Sequence, residues 1–161
     1  MFLYLVQHGE AKKEEEDPSR PLSDKGVEDV KRVGSYISRL NLEVKEIFHS
    51  GKARAKQTAE LLAGNMRIAK GVTQTDGLAP LDDPGVWAER LKKKKESLIL
   101  VGHLPHLGKL SSLLLSGDKE KNIIAFKMGG IVCLKRDEVG MWTLQWMITP
   151  EMTGDESCFS Q

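Results

Sequence analysis

The sequence predicts an α/β fold: a three-layer α/β/α sandwich around a mostly parallel sheet, with a C-terminal hairpin. Three observations predict it. Short apolar runs at residues 2–6, 46–50 and 97–103 alternate with stretches of helical period. Parallel strands need crossovers, and helical crossovers cover both faces of the sheet they connect. Two further apolar runs, 130–136 and 141–148, flank the turn sequence DEVG and read as an antiparallel pair. With 161 residues and no repeat, linker or low-complexity segment, the chain is expected to form one domain over residues 1–149, followed by a frayed tail at 150–161.

The elements follow in order. Residues Phe2 to Val6 run apolar up to Gln7-His8-Gly9 and read as the first strand. After Ser23, the residues Val27, Val30, Val33, Ile37 and Leu40 recur every three or four positions between charged side chains. That spacing predicts an amphipathic helix capped by Ser23. EIFHS at 46–50 is a short strand, and 53–62 a second helix. Residues 68–72 read as a third strand, and DGLAPLDDPG as a loop punctuated by Pro and Gly. PGVWAERLKKKK gives a short helix whose lysines gather at the end where the helix dipole favours cations. SLILVGH follows as a fully buried strand and PHLGKLSSLLLSG as an apolar helix with Pro105 near its start. Met128, Met141, Met147, Trp142 and Trp146 read as packing residues of the terminal hairpin and its neighbours.

Composition narrows the function classes. Lys+Arg 24 against Asp+Glu 23 leaves a net charge of +1, so attraction for an anion must come from local placement and nucleic acid is not expected. Cys133 and Cys158 lie far apart without CxxC spacing, which fits a reducing compartment. The N-terminus has neither the basic flank nor the cleavage site of a signal peptide, and no apolar run approaches the ~20 residues that span a bilayer. A cytoplasmic protein away from membranes is expected.

Two strand-like runs that stop at histidine point to a site. In open α/β sheets ligands bind beyond the carboxyl ends of the strands, which places His8, Ser50 and His103 on one edge. Arg20 lies in the loop after the first strand, beside Pro21, and Arg54 in the first turn of the second helix. Two guanidiniums and two imidazoles converging there match the oxygens of a phosphoryl group. HLPH at 103–106 is not expected to hold a metal, because Pro105 breaks a shared helical face and no Cys or acid completes the ligand set. KKEEEDPS at 12–19 reads as a solvated loop near the mouth of the site.

In the same order along nearly the whole chain, LVQHGEA, SRPLSDKG, HSGKARAKQTAELL and LVGHLP resemble the histidine phosphatase superfamily, in its small SixA-type phosphohistidine phosphatase branch. The resemblance implies a phosphoglycerate mutase-like fold and a covalent phosphohistidine intermediate on His8. It implies that Arg20, Arg54 and His103 hold the phosphoryl group, with no cofactor and no metal. Its partners would be a phosphorylated protein such as a histidine phosphotransfer domain, with phosphate or sulfate anion able to occupy the site.

Three positions depart from that pattern. The usual Arg-His-Gly is here Gln7-His8-Gly9, so residue 7 binds phosphate through a neutral amide worth ~1 kcal/mol per bond against ~1.5 to 3 for a charged donor. Gly51 replaces a common proline and is expected to loosen its loop. No general acid is evident among Glu10, Asp76, Asp82 and Asp83, of which Glu10 and Asp82 are retained as candidates. A leaving imidazole, with pKa ~6.5, departs already protonated, so a missing acid favours a phosphoramidate over an ester. The rival readings are a phosphate-ester phosphatase or mutase on the same fold and a noncatalytic phosphate-recognition module.

Overall fold

The computed structural model describes residues 1–154. Its strands are β1 (Phe2–Gln7), β2 (Glu46–His49), β3 (Val72–Gln74), β4 (Leu98–Gly102), β5 (Ile131–Arg136) and β6 (Trp142–Ile148). Four helices, α1 (Asp24–Ser38), α2 (Ala53–Ala63), α3 (Pro84–Lys92) and α4 (His106–Ser116), connect them. The sheet runs β3-β2-β4-β1-β5-β6. Its first four strands are mutually parallel, whereas β5 pairs antiparallel with β1 and β6 antiparallel with β5, as the hairpin reading requires.

Alternation along β1 divides the core into two layers. Tyr4 and Val6 point to one face and pack with Val30, Val33 and Ile37 of α1 and Ala55, Ala59 and Leu62 of α2. Leu3 and Leu5 point to the other and meet Trp87 and Leu91 of α3 and Leu107 and Leu110 of α4. Each larger aliphatic side chain among them contributes roughly 1.5–3 kcal/mol when removed from water. A buried central strand is therefore apolar on both faces, and β4 is buried over its full length.

Helix α1 begins where its sequence predicts, with the Ser23 hydroxyl accepting the Gly26 N–H at 3.0 Å. Four expectations need correction. Met128 and Met141, read as packing residues, are exposed. Leu40 lies beyond the end of α1 and is exposed, because the helix stops at Ser38. The third strand is Val72–Gln74 and not 68–72, since Ile68 makes only an isolated bridge to Val44 and Gly71, at φ 78°, turns the chain before pairing starts. The tail does not fray from residue 150, because Pro150–Thr153 forms a 3-10 turn that packs on α1 with Pro150 buried. The remaining tail, including Cys158, lies outside the described residues.

Candidate active site

Strands β1 and β4 are hydrogen-bonded neighbours at the centre of the sheet, and each delivers a histidine just past its last residue. The His8 N–H donates to the Gly102 carbonyl at 3.1 Å, which locks the two strand ends together. The rings of His8 and His103 stand 4.9 Å apart between centroids, tilted by 49°. Both are buried.

The His8 ring is fixed by a 2.7 Å bond between Nδ1 and the Gly9 carbonyl. A carbonyl only accepts, so Nδ1 carries the hydrogen and Nε2 keeps a free lone pair. Burial, and then the charges of Arg54 and Arg20, push the imidazole down to about 4, against the upward pull of the Gly9 carbonyl. His8 is thus a neutral imidazole at pH 7, with Nε2 unprotonated. A side chain at residue 9 would meet Val30 Cγ2 at 2.9 Å and the Gly26 carbonyl at 3.1 Å, so glycine is what lets this turn close against α1.

The predicted guanidiniums gather here. Arg54 is itself held below its ordinary value by burial and by Arg20, and both act on His8, so the two cations share the edge with the histidines. Arg20 stands in the left-handed region at φ 48°, a strained conformation for a residue with a side chain, and its Nε donates to the Lys12 carbonyl at 3.2 Å. Closure of its loop explains the strain. Ala11 bridges Leu22, and the Lys12 N–H donates to the Pro21 carbonyl at 2.8 Å, leaving Lys13 to Glu16 exposed as the solvated loop expected from the sequence.

His103 is pushed down to about 3, first by burial, then by His8, Arg54 and Lys52. Its Nε2 lies 2.6 Å from the Ser50 hydroxyl. Among the described residues, the buried polar side-chain atoms without a partner are Gln7 Oε1, Arg54 Nε, His103 Nδ1 and both ring nitrogens of His106. Gln7, Arg54 and His103 belong to this edge, and His106 lies three residues past His103 in the first turn of α4. Buried polar side chains gathered at one edge mark it as a candidate site for a polar ligand.

Several supporting residues escaped sequence reasoning. Thr58 Oγ1 accepts the Gly9 N–H at 3.0 Å and donates to the Arg54 carbonyl at 2.7 Å, tying the His8–Gly9 turn to the helix that carries Arg54. Gln57 Oε1 accepts the Leu22 N–H at 2.7 Å and so anchors the Arg20 loop. The Gly129 N–H reaches the carbonyls of Gln7 and His8 at 2.9 and 3.2 Å. Only Thr58 carried a signal, four residues past Arg54 and therefore on the same helical face.

The candidate acids are all held by other groups. Glu10 accepts the Ser23 hydroxyl at 3.1 Å, Asp82 accepts the Ala79 N–H at 2.9 Å, Asp83 caps α3 at Gly85, and Asp76 pairs with Arg90 at 2.7 Å. Gly51, expected to loosen its loop, instead stands at φ 92° with its N–H donating to His49 Nδ1 at 3.0 Å. Proline supplies neither that angle nor that donor, so the glycine is a requirement of this turn. His106 is buried in the first turn of α4, and among the described residues no group of three or more His, Cys, Asp or Glu side chains is arranged to hold a metal. No described helix is long and apolar enough to cross a membrane. Two broad grooves lie elsewhere on the surface, and neither is lined by a histidine.

Comparison with known proteins identifies the arrangement. The family model of the histidine phosphatase superfamily, branch 1, matches residues 3–102. The chain belongs to this superfamily. An uncharacterized protein of Picosynechococcus is 34% identical over 142 residues, covering 84% of this chain and 85% of that protein. The fold is that of SixA: the structure of the protein histidine phosphatase SixA complexed with tungstate superposes with a TM-score of 0.82 at 24% identity, over 93% of this chain and 97% of that one. A SixA described as a phosphohistidine phosphatase from Agrobacterium tumefaciens gives 0.75 at 20% identity, over 92% and 97%. An alpha-ribazole-5'-P phosphatase structure from Escherichia coli gives 0.76 at 16%, over 93% and 98%. Membership of this superfamily supports phosphatase activity for the chain.

Proposed function

We propose that this histidine phosphatase hydrolyses phosphohistidine on a protein, such as a histidine phosphotransfer domain, through a covalent intermediate on His8 and without a metal. The observation that carries the reading is the His8 ring, neutral and fixed by Gly9 with Nε2 bare, beside a second imidazole and two guanidiniums. In the first step the Nε2 lone pair forms a bond to phosphorus while the substrate's P–N bond breaks, its electron pair leaving with the substrate imidazole. In the second, water oxygen forms a bond to phosphorus while the P–N bond to His8 breaks, its electron pair returning to Nε2, and orthophosphate leaves carrying that oxygen, with the water's protons divided between product and solvent. Charge on the transferring group spreads over three oxygens, so fixed positive donors at Arg20 and Arg54, with polar support from Gln7 and His103, supply the stabilisation.

The engagement of all four candidate carboxylates favours this substrate over an ester. An alkoxide leaving group needs a proton donor, and Glu10, Asp76, Asp82 and Asp83 are each bonded elsewhere. The test compares turnover of a phosphohistidine-bearing protein with that of sugar phosphates, and looks for acid-labile, alkali-stable phosphate on His8 by mass spectrometry. The reading expects faster turnover of the phosphohistidine, trapped phosphate on His8, and complete loss of turnover in a folded His8→Ala variant. Absence of label on His8 during turnover would refute it.

A further inference from the structure

The turn after β2 is built to fix one hydroxyl. Gly51, at φ 92°, donates its N–H back to the buried His49 ring, and the Gln74 amide covers it so closely that an added Cβ would lie 2.6 Å from Nε2. Ser50, held between His49 and Gly51, places its Oγ 2.6 Å from His103 Nε2, while the Lys52 N–H reaches the same oxygen at 3.4 Å. The other nitrogen of that ring, Nδ1, is buried without a partner.

A dianionic phosphoryl group offers acceptors only, so an imidazole nitrogen that meets it must carry a hydrogen. Nε2 is already engaged by Ser50. We propose that Ser50 is a positioning residue whose O–H donates to His103 Nε2, which holds the neutral ring as its Nδ1–H tautomer and presents that N–H to the phosphoryl oxygens. The proposal rests on the reading of His103 as a phosphoryl ligand. A hydroxyl both donates and accepts, so when a bound dianion draws a second proton onto the ring, Oγ rotates to accept from Nε2–H. Ser50 therefore serves His103 in either protonation state, which a carbonyl or an amide N–H cannot do.

The tautomer is read from long-range 1H–15N spectra of histidine-labelled protein at pH 7.5 without ligand, with His103 assigned by its loss in His103→Gln. The wild type and Ser50→Thr should show the Nδ1–H form at His103, and Ser50→Ala a mixture of tautomers. With inorganic phosphate as the probe, Ser50→Ala should bind about tenfold more weakly and Ser50→Thr close to the wild type, the loss expected when the charged ring that meets the anion has no hydroxyl to accept its second N–H. An Nε2–H tautomer in the wild type, an unchanged spectrum in Ser50→Ala, or unchanged phosphate affinity in that variant overturns the proposal. The spectra need no substrate, so failure of the phosphohistidine reading in a turnover assay and failure of this assignment are separate results.

Discussion

Acidification from pH 8 to pH 5 is predicted to weaken the fold through His8, and the His8→Asn variant to be spared that loss. Burial first, then Arg54 and Arg20, hold the imidazole at about 4 in the folded chain against 6.5 when free. The unfolded chain consequently takes the proton first. Stability from this residue is complete above about pH 6.5, falls as the pH drops, and levels off below about 4. At pH 5 a free imidazole is about 97% protonated and the folded one about 9%, so unfolding takes up about 0.9 proton at His8. The slope is then about 1.2 kcal/mol per pH unit, and the loss between pH 8 and pH 5 about 2 kcal/mol. Asparagine keeps an N–H directed at the Gly9 carbonyl but does not titrate. Urea unfolding of both proteins at pH 5, 6, 7 and 8 isolates the difference, because His103 and the carboxylates contribute to both curves. Equal slopes would refute the reasoning, since they would mean that His8 titrates alike folded and unfolded.

Other perturbations follow from the same geometry. Gln7→Arg should strengthen inhibition by orthophosphate about tenfold, the gap between a neutral and a charged donor; unchanged inhibition would place the residue 7 side chain outside the pocket. Thr58→Val, nearly isosteric, leaves the Gly9 N–H and the Arg54 carbonyl without their partner. It should cost about 1–3 kcal/mol in urea unfolding and lower kcat as well. Gly51→Pro removes the N–H given to His49 and forces the backbone from φ 92° toward the proline angle, so it should destabilise the fold by about 2–4 kcal/mol in the same measurement.

What the sequence revealed depended on how locally each feature is determined. Helix α1 was legible because its buried stripe, Val30, Val33 and Ile37, repeats with the helical period, and because Ser23 caps through a bond to a residue three positions on. The pairing of His8 with His103 was legible because parallel strands must end at the same edge. Strand β3 was misplaced because three half-exposed residues carry no period, and its position is set by pairing with β2 across a glycine at φ 78°. Glu10 looked available two residues past His8, yet the close approach of Gly26 to the Glu10 backbone and the bond to Ser23 turn its carboxylate to the start of α1. Ser50 was placed on the right edge by the end of its strand, but its bond to His103, like those of Thr58 to Gly9 and Gln57 to Leu22, spans 35 to 53 residues, and pairings of that length are not written in a linear pattern.

The two histidines ride on the middle pair of a six-stranded sheet, flanked on both sides by further strands and covered above and below by helices. Amides in such strands exchange with solvent only when the whole domain opens. Arg20 sits instead in the segment between β1 and α1, held by a few bonds to Lys12, Pro21 and Gln57, and surface segments of that kind open at lower free energy than central strands. Gentle warming should therefore erode affinity for the anion before it separates the imidazoles, and an enzyme inactivated this way would recover on cooling without having to refold.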